Sequence, residues 1–187
     1  MKILVASDLH GSLENGKLLL ERFEKEKADK LVLLGDLYYH GPRNPLTEGY
    51  DPMALANLLN HYKDKLFVIK GNCDSEVDEM VSEFKFHQGY ANLDIGEGKT
   101  LTITHGHLYD NHAYPPDCGE VFLFGHIHTG FLERREDGGI VGNPGSVSLP
   151  KNGTPKSYLT IESSFVTLKT LDGMQIDRLE ILSVRKE

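Results

Sequence analysis

The sequence predicts an α/β fold: two β-sheets packed face to face with helices outside, in one domain spanning residues 1–187. Three observations carry this reading. The first third alternates buried strand and amphipathic helix, which implies parallel pairing through crossover helices. The middle carries two hairpin signals around glycine-containing turns. The stretch from Lys156 onward reads as a β meander. A length of 187 residues is enough for one substantial core.

The elements follow in order. Residues 2–7 (KILVAS) are a buried strand. Gly11-Ser12 then opens a helix running to about Lys27, with Ser12 as its N-cap. Residues 31–34 (LVLL) are a second strand, ended by Gly35-Asp36. Asp51-Pro52 starts a second helix, cap followed by proline at the first helical position, and Leu55, Leu58, Leu59 and Tyr62 give it an apolar face. Residues 66–70 (LFVIK) are a third strand, ended by Gly71-Asn72. Residues 90–95 and 99–104 flank Gly96-Glu97-Gly98 as a hairpin. Residues 121–124 (VFLF) are another buried strand. A second hairpin joins 131–136 to 140–142 across Asp137-Gly138-Gly139. Three short β runs follow Lys156, with turns near Glu162-Ser163 and Leu171-Asp172-Gly173.

Composition narrows the function. Apolar residues make up 39% and charged residues 26%, an ordinary globular balance. No apolar run approaches the ~20 residues of a membrane span, and the opening segment, interrupted by Asp8, does not read as a signal peptide. With 28 Asp and Glu against 20 Lys and Arg, the net charge is -8. That disfavours sequence-independent binding of long nucleic acid, which needs a basic face, but leaves room for a small phosphorylated substrate. Cys73 and Cys118 form no Cys-x-x-Cys pair, so neither a disulfide framework nor a structural zinc site is expected, and a reducing cytoplasm is the default location.

The chemistry follows the strands. After 2–7 comes Asp8-Leu9-His10; after 31–34, Gly35-Asp36; after 66–70, Gly71-Asn72-Cys73-Asp74; after 99–104, His105-Gly106-His107; after 121–124, Gly125-His126-Ile127-His128. Carboxyl ends of strands in α/β sheets are where ligands bind. Residues i and i+2 on an extended segment point the same way, so Asp8 with His10, and His126 with His128, are expected to face one site. Asp8, His10, Asp36, Asn72, His105, His126 and His128 make seven candidate metal ligands. One four-coordinate ion cannot use seven; two ions sharing Asp36 can, four each. Imidazole, carboxylate and amide donors suit Mn, Fe, Zn or Ni. A pair of ions about 3.5–4 Å apart serves phosphoryl transfer.

These blocks resemble the calcineurin-like metallophosphoesterase superfamily, whose pattern runs D-x-H, G-D, G-N-x-D, H-G-H, G-H-x-H. A closer similarity is to the YfcE-type phosphodiesterase family. It is carried by His40-Gly41-Pro42-Arg43-Asn44, the stretch from Gly71 to Asp78, Thr104 to His107, and Asn143-Pro144-Gly145-Ser146-Val147-Ser148. The resemblance implies a four-layer αββα sandwich of two mixed β-sheets flanked by helices. It implies that Asp8, His10, Asp36 and His128 hold one divalent metal ion, and Asp36, Asn72, His105 and His126 the other. Manganese is the usual activating ion, with dimers or tetramers common. The implied reaction is phosphodiester hydrolysis by a metal-bound hydroxide, with Asp36 bridging and Asn72 stabilising charge on phosphate oxygens.

Many superfamily members carry His where this chain has Cys73. A thiol is a poorer proton donor to a leaving group, so the expectation is a preference for good leaving groups and weak action on monoesters. His107, beside His105, is expected in the active site, and Arg43 and His40 at the pocket rim as substrate contacts. The rim itself is expected from the 38–50 and 109–118 loops. Asn143 to Ser146 reads as a structural turn. Cys118 reads as an ordinary loop residue, and His61, His87, His112, Arg134-Arg135 and Lys25-Glu26-Lys27 as solvated. The competing readings are a protein-interaction scaffold of the same fold, like the retromer subunit, whose metal site is degraded, and a phosphomonoesterase. The intact ligand set argues against the first, and Cys73 with the short chain against the second.

Overall fold

A computed structural model describes residues 1–182; the end of the chain beyond them, which the sequence reading joins to the meander, lies outside the described residues. The elements are β1 (Lys2–Ala6), α1 (Leu13–Glu26), β2 (Lys30–Leu33), α2 (Pro52–Asn60), β3 (Leu66–Ile69), α3 (Glu76–Val81), β4 (Phe86–His87), β5 (Tyr90–Gly96), β6 (Lys99–Thr104), β7 (Val121–Phe124), β8 (Gly130–Arg134), β9 (Ile140–Pro144), β10 (Ser157–Glu162), β11 (Phe165–Thr170) and β12 (Gln175–Glu180). Both expected caps are present: Ser12 Oγ accepts from the Asn15 N–H, and the Asp51 carboxylate from the Ala54 N–H. Helix α3 and strand β4 were not expected. The helix is a short one, started by a reciprocal Ser75–Asp78 capping box that the local sequence does carry.

The strands form two mixed sheets, ordered β12-β11-β10-β1-β2-β3-β4 and β5-β6-β7-β9-β8. In the first, β1 to β4 run parallel, while β10 to β12 return antiparallel from β1. In the second, β6, β7 and β9 are parallel. The alternation along β1 divides the core. Ile3 and Val5 face the second sheet, against residues such as Ile103 and Leu123. Leu4 and Ala6 face outward, against Leu19 and Phe23 of α1 and Leu55 and Leu59 of α2. Each fully buried Leu or Phe of these layers contributes roughly 1.5–3 kcal/mol. Among the described residues no helix covers the outer face of the second sheet; Phe122, Phe124 and Val141 there pack against Tyr109, Cys118 and Phe131.

Three residues expected in solvent are not there. Arg135 donates to the Gly119 carbonyl and to Asp137, both at 2.8 Å, and its guanidinium meets Cys118 Sγ. His87 stacks on Phe67 with ring centroids 4.2 Å apart. Glu26, at the end of α1, accepts from Tyr158 Oη and Lys169 Nζ and pairs with Lys2 Nζ, tying the helix to β1, β10 and β11. Burial alone would raise its carboxyl, but Lys169, Lys2 and Tyr158 outweigh burial and hold it down at about 2. A depressed folded-state pKa stabilises above the unfolded value near 4.5 and loses that contribution as pH falls toward 2. Glu26→Gln is therefore expected to cost about 1–2 kcal/mol at pH 7. Thermal melts should show the gap from wild type closing between pH 4.5 and 2. A gap independent of pH over that window counts against the network.

Candidate metal centre

Strand ends from both sheets converge on one cavity of about 630 Å³, reached by His10, Asp36, Asn72, Cys73, His126 and His128. The expected alternation of extended residues is not what aims these side chains. Asp8, His10, Asp36, His126 and His128 all lie at positive φ, between 47° and 68°. Left-handed backbone at non-glycine positions is unfavourable and persists where surrounding contacts enforce it. Those contacts are visible. The Asp8 N–H donates to the Gly35 carbonyl and the His10 N–H to the Asp36 carbonyl, which locks the first two turns together. The Asp8 carbonyl accepts from both Ser146 and Ser148 hydroxyls. The Asn143 amide donates to the Gly125 carbonyl. The segment read as a structural turn is thus the brace for the Asp8 and His126 turns.

Glycine is required where these turns meet. Gly35 has φ +101°, and a Cβ there would press on the Gly71 backbone. Asp74, which the sequence reading left without a role, ties the same two loops. Its buried carboxylate accepts from the backbone N–H groups of Asp36, Leu37 and Gly71, at 2.7–2.8 Å. Its place in Gly71-Asn72-Cys73-Asp74 was the available signal. Burial and the Asp36 charge together push its carboxyl up to about 6.

The imidazoles are held in one tautomer. His10, His105 and His128 each direct Nδ1 at a backbone carbonyl: Tyr39, Leu34 and Leu149 respectively, at 2.7–2.8 Å. A carbonyl only accepts, so Nδ1 carries a proton and Nε2 is the ring nitrogen turned inward, the atom that would offer its lone pair to a cation. Nε2 of His10 and Nε2 of His128 then face each other at 3.1 Å. Asp8 Oδ1, 3.1 Å from His128 Nε2, is fully buried and has no hydrogen-bond partner. Two ring nitrogens turned on one another beside an orphaned carboxylate oxygen are the donor set of a cation site. His105 Nε2 lies 3.4 Å from Asp36 Oδ1 and 3.0 Å from Asn72 Oδ1. Potential ligand groups cluster as Asp8, His10 and His128, and as Asp36, His105 and His126. The donor sets fit divalent metal ions.

Charges in the protein alone follow from this crowding. Burial opposes ionisation of Asp8, but His10 and His128 outweigh it and hold the carboxyl well below the usual range. Burial would lower His105, yet Asp36 and Asp8 raise it to about 9. His126 is lowered by burial and by the His105 charge. Burial, then the Asp36 carboxylate, pushes the Cys73 thiol up to about 12. Its Sγ lies with His10 and Asp36 at the cavity wall.

The remaining expected residues divide. Arg43 lines the cavity from the exposed loop after β2. His40 does not: it is braced edge-on between Tyr39 and Tyr50, centroids 4.8 and 5.4 Å away. His107 is exposed, 5.4 Å from the His105 ring and outside the cavity wall. The 109–118 loop does not form the rim either; it covers the second sheet, where Tyr114 and Cys118 border a different cavity. In its place the rim holds Lys151, whose backbone N–H donates to the His128 carbonyl. Lys151 and Tyr39 were not singled out from sequence, because neither sits in a ligand-type motif.

Known proteins share this sequence pattern and fold. The sequence profile of the calcineurin-like phosphoesterase superfamily domain matches residues 1–164. Phosphodiesterase YfcE of Escherichia coli (strain K12) is 40% identical over 178 residues, covering 94% of this chain and 95% of that protein. A solved structure of the E. coli YfcE phosphoesterase superimposes with a TM-score of 0.92 at 38% identity, covering 97% of this chain and all of the other. Vacuolar Protein Sorting 29 from Cryptosporidium parvum shares the fold, with a TM-score of 0.62 at 17% identity over 96% of this chain and 97% of its own. Profile, sequence and fold coincide over nearly the whole length, and the chain belongs to the calcineurin-like phosphoesterase superfamily.

Proposed function

We propose that this chain is a metal-dependent phosphodiesterase acting on small phosphodiesters, favouring good leaving groups and weak on monoesters. The observation that carries the reading is the set of carbonyl-pinned imidazoles whose Nε2 atoms converge beside Asp8 and Asp36. Asp8, His10, Asp36 and His128 would hold one divalent ion; Asp36, Asn72, His105 and His126 the other. Manganese is our first choice, with Zn, Fe and Ni as alternatives the donors accept. When bound, the ions supply positive charge for the phosphate and acidify a water.

The protein's own part is positioning. Left-handed turns and carbonyl contacts keep the imidazoles and carboxylates in place before substrate arrives, which removes reorganisation from the reaction. Asn72, exposed and lining the cavity, would meet a phosphate oxygen. Arg43 and Lys151 put positive charge at the rim of an acidic protein and draw the anion inward. Cys73, its thiol held up by burial, favours substrates whose leaving group departs without a proton. His107, its ring 5.4 Å from that of His105, would act at the edge of the site rather than among the ligands.

The YfcE relation favours a diesterase over a scaffold, and Vacuolar Protein Sorting 29 is related at the level of fold alone. The proposal extends to a single cytoplasmic domain that acts as a homodimer or homotetramer, without membrane or long nucleic-acid partners. Among the described residues no helix is long and apolar enough to cross a membrane. The test is to strip metals, restore Mn, Ni, Zn or Fe singly, and assay bis(p-nitrophenyl) phosphate against p-nitrophenyl phosphate. Metal-dependent turnover with the diester favoured about tenfold or more in kcat/KM is expected. Equal rates in stripped protein, or a preference for the monoester, would sink the reading.

A further inference from the structure

Beside the cavity that receives the imidazoles lies a second one, of about 340 Å³. The two share Tyr39 and Cys73 as walls. Tyr50, Pro52 and Val77 line the far side. Tyr39 is fixed at the site through its backbone, since its carbonyl accepts from His10 Nδ1. The residue is 41% exposed and lines both cavities, its ring braced by His40, which Tyr50 braces in turn. Val77, in the first turn of α3, is 64% exposed and belongs to no core cluster. An exposed tyrosine and an exposed valine therefore line a cleft that adjoins the reaction site.

We propose that this cleft is the subsite for an aromatic arm of the diester, seated against Tyr39 and Val77 while its phosphate lies over the Asp36 cluster. The inference rests on the phosphodiesterase reading above. The shared wall places the arm: the two cavities adjoin at Tyr39 and Cys73, a diester has two organic groups, and one of them directed past Tyr39 meets the cleft. Shape selects the class. The volume takes a ring or two, and tyrosine walls favour edge and offset contacts with a flat π-system. Charge excludes the alternative of an anionic arm, because Asp78 also lines the cleft, its carboxylate held by the Ser75 N–H and hydroxyl. Selection for aryl diesters would then have a binding component separate from leaving-group chemistry.

The test uses two phosphonates that cannot be hydrolysed, phenylphosphonate and methylphosphonate, with metal-loaded protein. They are measured as competitive inhibitors of bis(p-nitrophenyl) phosphate hydrolysis and by calorimetric titration. Wild type is expected to prefer the phenyl compound by about tenfold in affinity. Val77→Asn should cut that ratio to about two- or threefold, and Val77→Leu should keep it. Equal affinities in wild type, or a ratio undiminished in Val77→Asn, overturns the subsite. Diester turnover without a phenyl preference removes the subsite alone. A phenyl preference by calorimetry without turnover under any metal removes the phosphodiesterase reading and, with it, the assignment of the cleft to a diester arm.

Discussion

Asp36→Asn is expected to abolish diester hydrolysis, by about 10³-fold or more, in a protein that still folds. Asp36 is the carboxylate that touches both halves of the site. Its Oδ1 is 3.4 Å from His105 Nε2 and its Oδ2 3.8 Å from His10 Nε2. Oδ1 also accepts from the Cys73 N–H at 2.8 Å, so the side chain is oriented from the loop after β3. Asparagine keeps the size and tolerates the left-handed backbone at φ 54° better than most residues. It lacks the charge that two cations would share. Two readouts separate the roles: a thermal melt close to wild type, and a calorimetric manganese titration whose stoichiometry falls below two. Full activity in a variant that still binds two equivalents would contradict the sharing of Asp36.

Most strands, the caps of α1 and α2 and the five blocks of ligand-type residues were legible in local sequence, because short apolar runs, Ser and Asp caps and strand-end His and Asp are local signals; the two-residue β4 and the short α3 were too brief to carry such a run. The reason those side chains meet was not legible. Alternation along an extended segment offered an explanation for Asp8 with His10. The structure instead uses left-handed turns, stabilised by Ser146 and Ser148 from more than a hundred residues away. Such bracing comes from chain segments joined only by tertiary packing. The same holds for Glu26, whose charge run reads as solvent-facing until β10 and β11 bring Tyr158 and Lys169 against it. Asp74 was within reach, since it closes a quoted motif. Lys151 was not, because a lone lysine in a turn carries no pattern. His40 and His107 sit in motifs but not in the wall of the main cavity; His107 instead lies beside His105 and His126, with ring centroids 5.4 and 6.4 Å away.

Gly71→Ala should be severely damaging although it removes no functional group. Gly71 does not need glycine for its φ; it needs the space. A Cβ there would fall within the contact radius of both Asp36 Oδ1 and the Asp36 backbone nitrogen. Backbone cannot swing aside as a lysine tip can, so the two loops must part. Their separation strains the Asp74 carboxylate that bonds Asp36, Leu37 and Gly71 together. Overpacking of this kind costs about 1–3 kcal/mol, and displacing a catalytic group by about 1 Å can cost about 10²-fold in rate. The expected result is therefore a loss of about 10²-fold in kcat/KM on bis(p-nitrophenyl) phosphate, with a melting temperature lowered by several degrees. Gly89→Ala supplies the control. Gly89 has φ +70° with nothing near its missing Cβ, so alanine there is strained but collides with nothing. It should lose stability by about 1–2 kcal/mol and keep its activity. If Gly89→Ala loses as much activity as Gly71→Ala, loss of stability explains both, and close approach of the two loops is not what positions Asp36.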